Sequence, residues 1–402
     1  MSAEQIRCDT DKTLLEQLLK HEDVRRVNSL IERLEEENSK KSGVRRQLLA
    51  TSVRLSQRIS PKLHKMAKHC QEKLGIKTPL ELFSYSSSTA NAACFKPEDG
   101  KLFIMFSSKL IESFNEGELL FVMGHELGHH VYAHHDVPIG QIVKGDEKPN
   151  RSLVMKLFTW SRYAEISADR AGAFCSGSLE DVAKSLFKLA SGVTNDNIIE
   201  FHHEDFLAQV DEMVALDSEP GQGAPTGDWF LTHPFSPLRV KALCRFFDSS
   251  LMKKGGISKE ELEGDVRVVM NLMEQNYLKA DTDVGKSMKS LFIAGAALIV
   301  AADKEYKKEE HEMFDEFLDD KIDFEKLDIE GLSRELPDRI RLVLKHASPA
   351  EQMQIVRDLC LVALADGDAD KKEVAIINKI AKQLNITEEF VVRTLNEELV
   401  LD

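Results

Sequence analysis

The chain has 402 residues, 42% hydrophobic and 30% charged, an ordinary globular composition with room for two or three domains. A formal net charge of −15 speaks against nucleic acid or an anionic membrane surface as partner, because phosphate binding needs a concentrated basic face. The six cysteines, Cys8, Cys70, Cys94, Cys175, Cys244 and Cys360, show no C-x-x-C spacing and read as reduced thiols rather than a disulfide framework. The apolar run Leu291–Ala302 falls short of the ~20 residues a membrane span needs, and the N-terminus lacks the pattern of a signal peptide. A cytoplasmic protein with no membrane span is expected.

Residues 1–45 scatter Leu14, Leu15, Leu18, Leu19, Val24, Val27, Leu30, Ile31 and Leu34 among charges, which predicts amphipathic helices broken near His21-Glu22-Asp23. They would pack on the rest of the chain or on a partner. Further on, Asn115 followed by Glu118 suits a capped helix start, and Leu119, Leu120, Val122, Met123, Leu127 and Val131 supply its buried neighbours.

Within that helix, His125-Glu126-Leu127-Gly128-His129 is an H-E-x-x-H sequence. Residues four apart lie about 40° apart around a helix and ~6 Å along it, so both imidazoles can reach one zinc ion. Glu126, beside the ion, is positioned to take a proton from a water that the ion acidifies. A zinc hydrolase also needs a third protein ligand. His135 stands at the last position of the longer metzincin pattern, but Tyr132 occupies the place of its glycine, where the chain must turn out of the helix. The other route is a glutamate from a later helix: Glu165 and Asp169 lie four apart in Ser161–Arg170. Glu165 can ligate zinc while Asp169 accepts a hydrogen bond from a ligand imidazole; the alternative for this pair is a solvated acidic face.

Asp217–Asp228 is rich in Gly and Pro and reads as a loop, either beside the cleft or a plain surface excursion. Gly255-Gly256 breaks the chain, and Ser258 with Glu261 suggests a capping box. The C-terminal region repeats a helix–acidic turn–helix unit, with Ala302-Asp303-Lys304-Glu305 in one copy and Ala365-Asp366-Gly367-Asp368 in the other. Neither turn has the glycine and glutamate spacing of an EF-hand, so the acids suit helix capping better than Ca²⁺.

Three landmarks together, His125–His129, the E-x-x-A-D run at 165–169 and Thr232-His233-Pro234-Phe235-Ser236-Pro237-Leu238-Arg239, resemble the HtpX and CAAX-prenyl-endopeptidase family of gluzincin metallopeptidases. Upstream, Ala90-Asn91-Ala92, Lys101–Phe106 and Ser107–Leu110 are similar to that family's Asn-Ala segment, edge strand and following helix. The resemblance covers roughly residues 55–248. It implies His125, His129 and Glu165 as ligands of one zinc ion per chain, Glu126 as general base, and Asp169 behind the ligands. It further implies that His233 and Arg239 stabilise the oxyanion or orient the site. Asn91, Ala92, Phe103, Ile104 and Met105 would belong to an edge strand pairing with a peptide or unfolded protein substrate, or 102–106 would be a core strand. Residues 284–402 resemble the tellurite-resistance TerB-like helical domain, whose expected role is interaction with a protein partner or regulation.

The expected fold is α+β, mainly α. It comprises an N-terminal helical segment (1–50), a zincin-like metallopeptidase domain with a small edge-stranded sheet (51–250), a helical linker (251–283) and an all-α C-terminal domain (284–402). The expected function is that of a zinc metalloendopeptidase. The alternative is a latent peptidase acting mainly as a stress-response binding or scaffold protein.

Overall fold

The structure is a computed structural model that describes residues 1–38, 43–145, 151–195, 200–217, 228, 231–270, 273, 282–302, 327–365 and 369–396. The chain forms two compact units. One comprises Met1–Asp146, Trp160–Gln209 and His233–Val269; the other comprises Glu147–Thr159, Val210–Thr232 and Met270–Asp402. Residues 1–50 thus share a unit with the H-E-x-x-H helix.

The first unit begins with helices α1 (Ala3–Ile6), α2 (Asp9–Leu18), α3 (Glu22–Asn38) and α4 (Val44–Thr51). The break between α2 and α3 falls where His21-Glu22-Asp23 predicted it. Strand β1 (Val53–Leu55), helix α5 (Pro61–Leu74) and strands β2 (Leu80–Tyr85), β3 (Ala92–Glu98) and β4 (Lys101–Ser107) follow. The sheet order is β1-β2-β4-β3, with β2 parallel to β4 and β3 antiparallel to it. This corrects the edge-strand expectation for 102–106. Phe103, Ile104 and Met105 lie in a strand paired on both sides, and Leu102, Phe103 and Ile104 are fully buried. An uninterrupted apolar run belongs where neighbours cover it, not at an edge. The edge beside the site is β3, which Asn91 precedes and Ala92 begins.

After α6 (Ser108–Ser113), helix α7 (Glu116–Val131) carries the H-E-x-x-H sequence. Its start is fixed by a capping box: Asn115 Oδ1 accepts from the Glu118 backbone N–H at 2.9 Å, and Glu118 Oε2 accepts from that of Asn115 at 2.8 Å. The buried Glu118 also meets Lys188 Nζ at 3.0 Å, tying α7 to α10 (Leu179–Ser191). At the other end Ala133 adopts a left-handed conformation (φ 60°), leading into a 3-10 turn, His134–Asp136. Helices α8 (Ile139–Lys144), α9 (Arg151–Ser176), α11 (His203–Asp217), α12 (Ser236–Asp248) and α13 (Lys259–Met270) complete the elements up to residue 270. Ser258 caps α13, its Oγ accepting from the Glu261 N–H at 3.1 Å.

Small residues let α7 and α9 approach each other. A Cβ on Gly128 would lie 2.9 Å from Ala171 Cβ, and one on Gly172 only 2.5 Å from the Phe121 carbonyl oxygen. Gly128 inside the H-E-x-x-H sequence and Gly172 on α9 therefore let α9, and with it Glu165, come against the histidines.

In the second unit, α14 (Asp283–Val300) packs against α15 (Ile329–His346), α16 (Pro349–Ala363) and α17 (Lys371–Gln383), and α18 (Glu388–Asn396) packs on the latter two. Asp370 and Glu373 form the capping box of α17. Residues 303–310, 366–368 and most of the 217–228 loop lie outside the described residues. Among the described residues no helix is long and apolar enough to cross a membrane.

Candidate metal centre

On α7, the one-turn spacing puts the His125 and His129 Nε2 atoms 3.1 Å apart. From α9, Glu165 brings Oε2 to 3.5 Å from His125 Nε2 and Oε1 to 3.3 Å from His129 Nε2. All three ligand atoms lie within 4.8 Å of one another. The acidic pair is thus no solvated face: Glu165 is 5% exposed and Asp169 is fully buried.

The partners of the outer nitrogens settle what the inner ones offer. His125 Nδ1 lies 3.0 Å from Asp169 Oδ1, and an ionised carboxylate only accepts, so Nδ1 carries the proton and Nε2 a bare lone pair. His129 Nδ1 lies 2.9 Å from His134 Nδ1, whose own Nε2 is 3.2 Å from Asp11 Oδ2. Among the described residues, buried Glu165 Oε2 accepts no hydrogen bond of good geometry and faces His125 Nε2 and Arg239 Nη2. Two imidazole lone pairs and a carboxylate facing one point fit a bound cation, and this N₂O donor set is that of a catalytic zinc site.

Arg239, on α12, forks onto Asp169, donating from Nη2 to Oδ1 at 2.6 Å and from Nε to Oδ2 at 2.8 Å, while Nη2 also lies 3.3 Å from Glu165 Oε2. Burial works against the charge of Asp169, but Arg239 and then His125 hold its carboxyl below the usual range. Burial likewise opposes the charge of Glu165, and His233, His125 and His129 hold it well below the ordinary value. The His233 imidazole is 61% exposed, with Nε2 3.5 Å from Glu165 Oε1.

A cavity of about 330 Å³ opens over this cluster. Asn91, Ala92, Ala93 and Cys94 of the β3 edge form one wall, and His125, Glu126, His129, Glu165, His233 and Arg239 also line it. Glu126 reaches the edge strand, its Oε2 accepting from the Cys94 backbone N–H at 2.9 Å. The structure thus brings together His125, Glu126, His129, Glu165, Asp169, His233, Arg239, Asn91 and Ala92. It does not bring Phe103, Ile104 or Met105 to the cavity wall.

His135 stays outside the cluster, its ring centroid 6.5 Å from that of His129, and burial pushes its pKa down to about 4. The residue that sequence reasoning missed is its neighbour His134, together with Asp11. The histidine pair after the helix was visible in the sequence. Which member turns back under His129 depends on the left-handed Ala133.

The fold and site set an H-E-x-x-H helix, a glutamate from a following helix and a cleft bordered by an edge strand around a candidate metal site. Residues 57–144 and 149–246 match the model of Peptidase family M48, and residues 290–394 match that of Tellurite resistance protein TerB. It is similar to the plastoglobule-localized metallopeptidase 48, chloroplastic, of Arabidopsis thaliana, with 28% identity over 218 residues. That match covers 48% of this chain and 59% of the relative, so less than two thirds of the relative's length is represented. No solved structure matches. The match of residues 57–144 and 149–246 to the Peptidase family M48 model supports metallopeptidase activity for that part of the chain.

Proposed function

We propose that the protein is a zinc-dependent metalloendopeptidase that hydrolyses extended peptide segments, with one zinc ion held by His125, His129 and Glu165. The observation that carries this reading is the convergence of three electron-rich ligand atoms within 4.8 Å of one another, beside Glu126 and a strand edge. When bound, zinc would supply Lewis acidity, polarising a carbonyl and lowering the pKa of a water towards about 7.

The chain's own residues do the rest. Glu126 takes the proton from the attacking water and returns it to the leaving amine. The main chain of β3 around Ala92 and Ala93 offers backbone hydrogen bonds to an extended substrate, which gives binding with little sequence demand. His233, exposed at the cavity, donates to the oxyanion that develops on the scissile carbonyl. Arg239 is a positioning residue: it locks Asp169, which in turn fixes His125.

The proposed domain limits are 51–250 for the peptidase and 284–402 for the TerB-like domain, which offers a surface to a protein partner. A reducing compartment, with the cytoplasm as first choice, is supported by six free cysteines; fractionation of tagged protein tests it. The catalytic reading is tested by metal analysis together with chelation. One zinc per chain, and casein cleavage that chelator removes and zinc restores, are expected. Cleavage unaffected by complete metal removal would refute it.

A further inference from the structure

The matched peptidase segments begin at residue 57, yet a residue of α2 lies directly behind the candidate metal centre. Asp11 is fully buried. Its Oδ1 accepts from Trp160 Nε1 at 3.0 Å, and its Oδ2 accepts from Ser167 Oγ at 2.7 Å and Arg7 Nε at 2.8 Å, with His134 Nε2 at 3.2 Å. Other hydrogen bonds fasten the segment in place: the Tyr132 hydroxyl donates to the Ala3 carbonyl at 2.9 Å, and the Cys8 backbone N–H to Ser167 Oγ at 3.1 Å.

Hydrogen-bond chemistry then runs in one direction. An ionised Asp11 can only accept, so His134 Nε2 must carry the proton. A neutral imidazole has a single N–H, which leaves His134 Nδ1 as an acceptor. The group 2.9 Å away is His129 Nδ1, which must therefore donate. That proton placement leaves the His129 Nε2 lone pair aimed at His125 and Glu165.

We propose that Asp11, acting through His134, is a positioning residue of the metal centre: the N-terminal segment sets the tautomer and ring orientation of the ligand His129 through a carboxylate–histidine–histidine chain. This rests on the reading of His125, His129 and Glu165 as zinc ligands. The two ligand histidines are held differently, His125 by a carboxylate directly and His129 by a neutral imidazole with the carboxylate one residue further back. The matched peptidase segments alone would keep His134 but lack the Asp11 carboxylate that sets its tautomer, so α2 is part of the site and not a detachable extension.

The test uses the full-length protein and two readouts that do not involve turnover. Zinc affinity is measured by competition with a chelator for wild type, His134→Phe, His134→Gln and Asp11→Asn, each checked for folding in the metal-free form. Removing the acceptor in His134→Phe is expected to weaken zinc binding about 10–100-fold. His134→Gln, which can accept from His129 and donate to Asp11, should stay within a few fold of wild type. In wild type with ¹⁵N-labelled histidine, a through-hydrogen-bond coupling between the Nδ1 atoms of His129 and His134 is expected, and it needs no variant to fold. Wild-type zinc affinity in folded His134→Phe, or absence of that coupling with His129 protonated at Nε2, would overturn the proposal. Failure of wild type to bind zinc at all would instead remove the ligand assignment beneath it.

Discussion

Gly172 offers the sharpest test of how the centre is assembled. A methyl at this position would sit 2.5 Å from the Phe121 carbonyl oxygen and 2.7 Å from Phe121 Cδ2, whereas carbon and oxygen ordinarily approach to about 3.3 Å. The carbonyl belongs to the α7 backbone and cannot swing aside, so α7 and α9 must part by roughly 0.8 Å, the gap between that ordinary separation and the one the methyl would meet. Overpacking of this kind costs about 1–3 kcal/mol, against which alanine's helix propensity returns close to ~1 kcal/mol. Gly172→Ala should therefore lose up to roughly 2 kcal/mol, a fall in Tm of up to about 8 °C for a unit of this size. The larger effect should be on the metal. Ligand distances in such sites tolerate only ~0.2 Å, so moving the helix that carries Glu165 should weaken zinc binding at least about tenfold. Differential scanning calorimetry of the metal-free protein and chelator competition measure the two terms separately. A variant that melts lower but binds zinc as wild type does would refute the claim that helix contact sets the position of Glu165.

Other consequences follow from particular side chains. His233→Ala should lower kcat about 10²–10³-fold, the usual effect of losing one oxyanion donor, with Tm unchanged because the imidazole is 61% exposed; an unchanged kcat would remove His233 from the chemistry. Asp11 predicts a pH dependence of stability. Its carboxyl titrates at about 2 in the folded chain and near ~3.9 unfolded. A depressed folded value stabilises above the unfolded pKa, and that stabilisation is lost as pH falls towards about 2. Thermal melts of wild type and Asp11→Asn should thus differ by a constant amount above pH ~5, roughly 2–3 kcal/mol from this group, and converge below it. A gap that widens on acidification would contradict the assignment.

The sequence made the H-E-x-x-H helix and its start legible because both are local. The Asn115–Glu118 box and the one-turn spacing of His125 and His129 depend on residues within a few positions of each other, and the structure shows both. Glu165 and Asp169 were found by asking which later helix could complete a zinc site, and the glycines that let α9 close on α7 lay in plain view without that meaning. What escaped were long-range relations. The position of 102–106 within the sheet is fixed by the order β1-β2-β4-β3, and strand order leaves no trace in a run of apolar residues. Asp11 and His134 are 123 residues apart; neither has a local signature, and their meeting depends on Ala133 adopting a left-handed conformation that alanine rarely takes. Arg239 could be placed near the site, but its fork onto Asp169 makes it a support, a distinction that only geometry can draw.

The most direct measurement compares casein cleavage by zinc-loaded wild type and by zinc-loaded Glu126→Gln, after confirming that both hold one zinc per chain. Gln keeps the shape of the side chain while removing the base, so the variant should keep its metal and fold and lose turnover. Hydrolysis by wild type alone is the predicted result. Cleavage by Glu126→Gln at the wild-type rate would contradict the account.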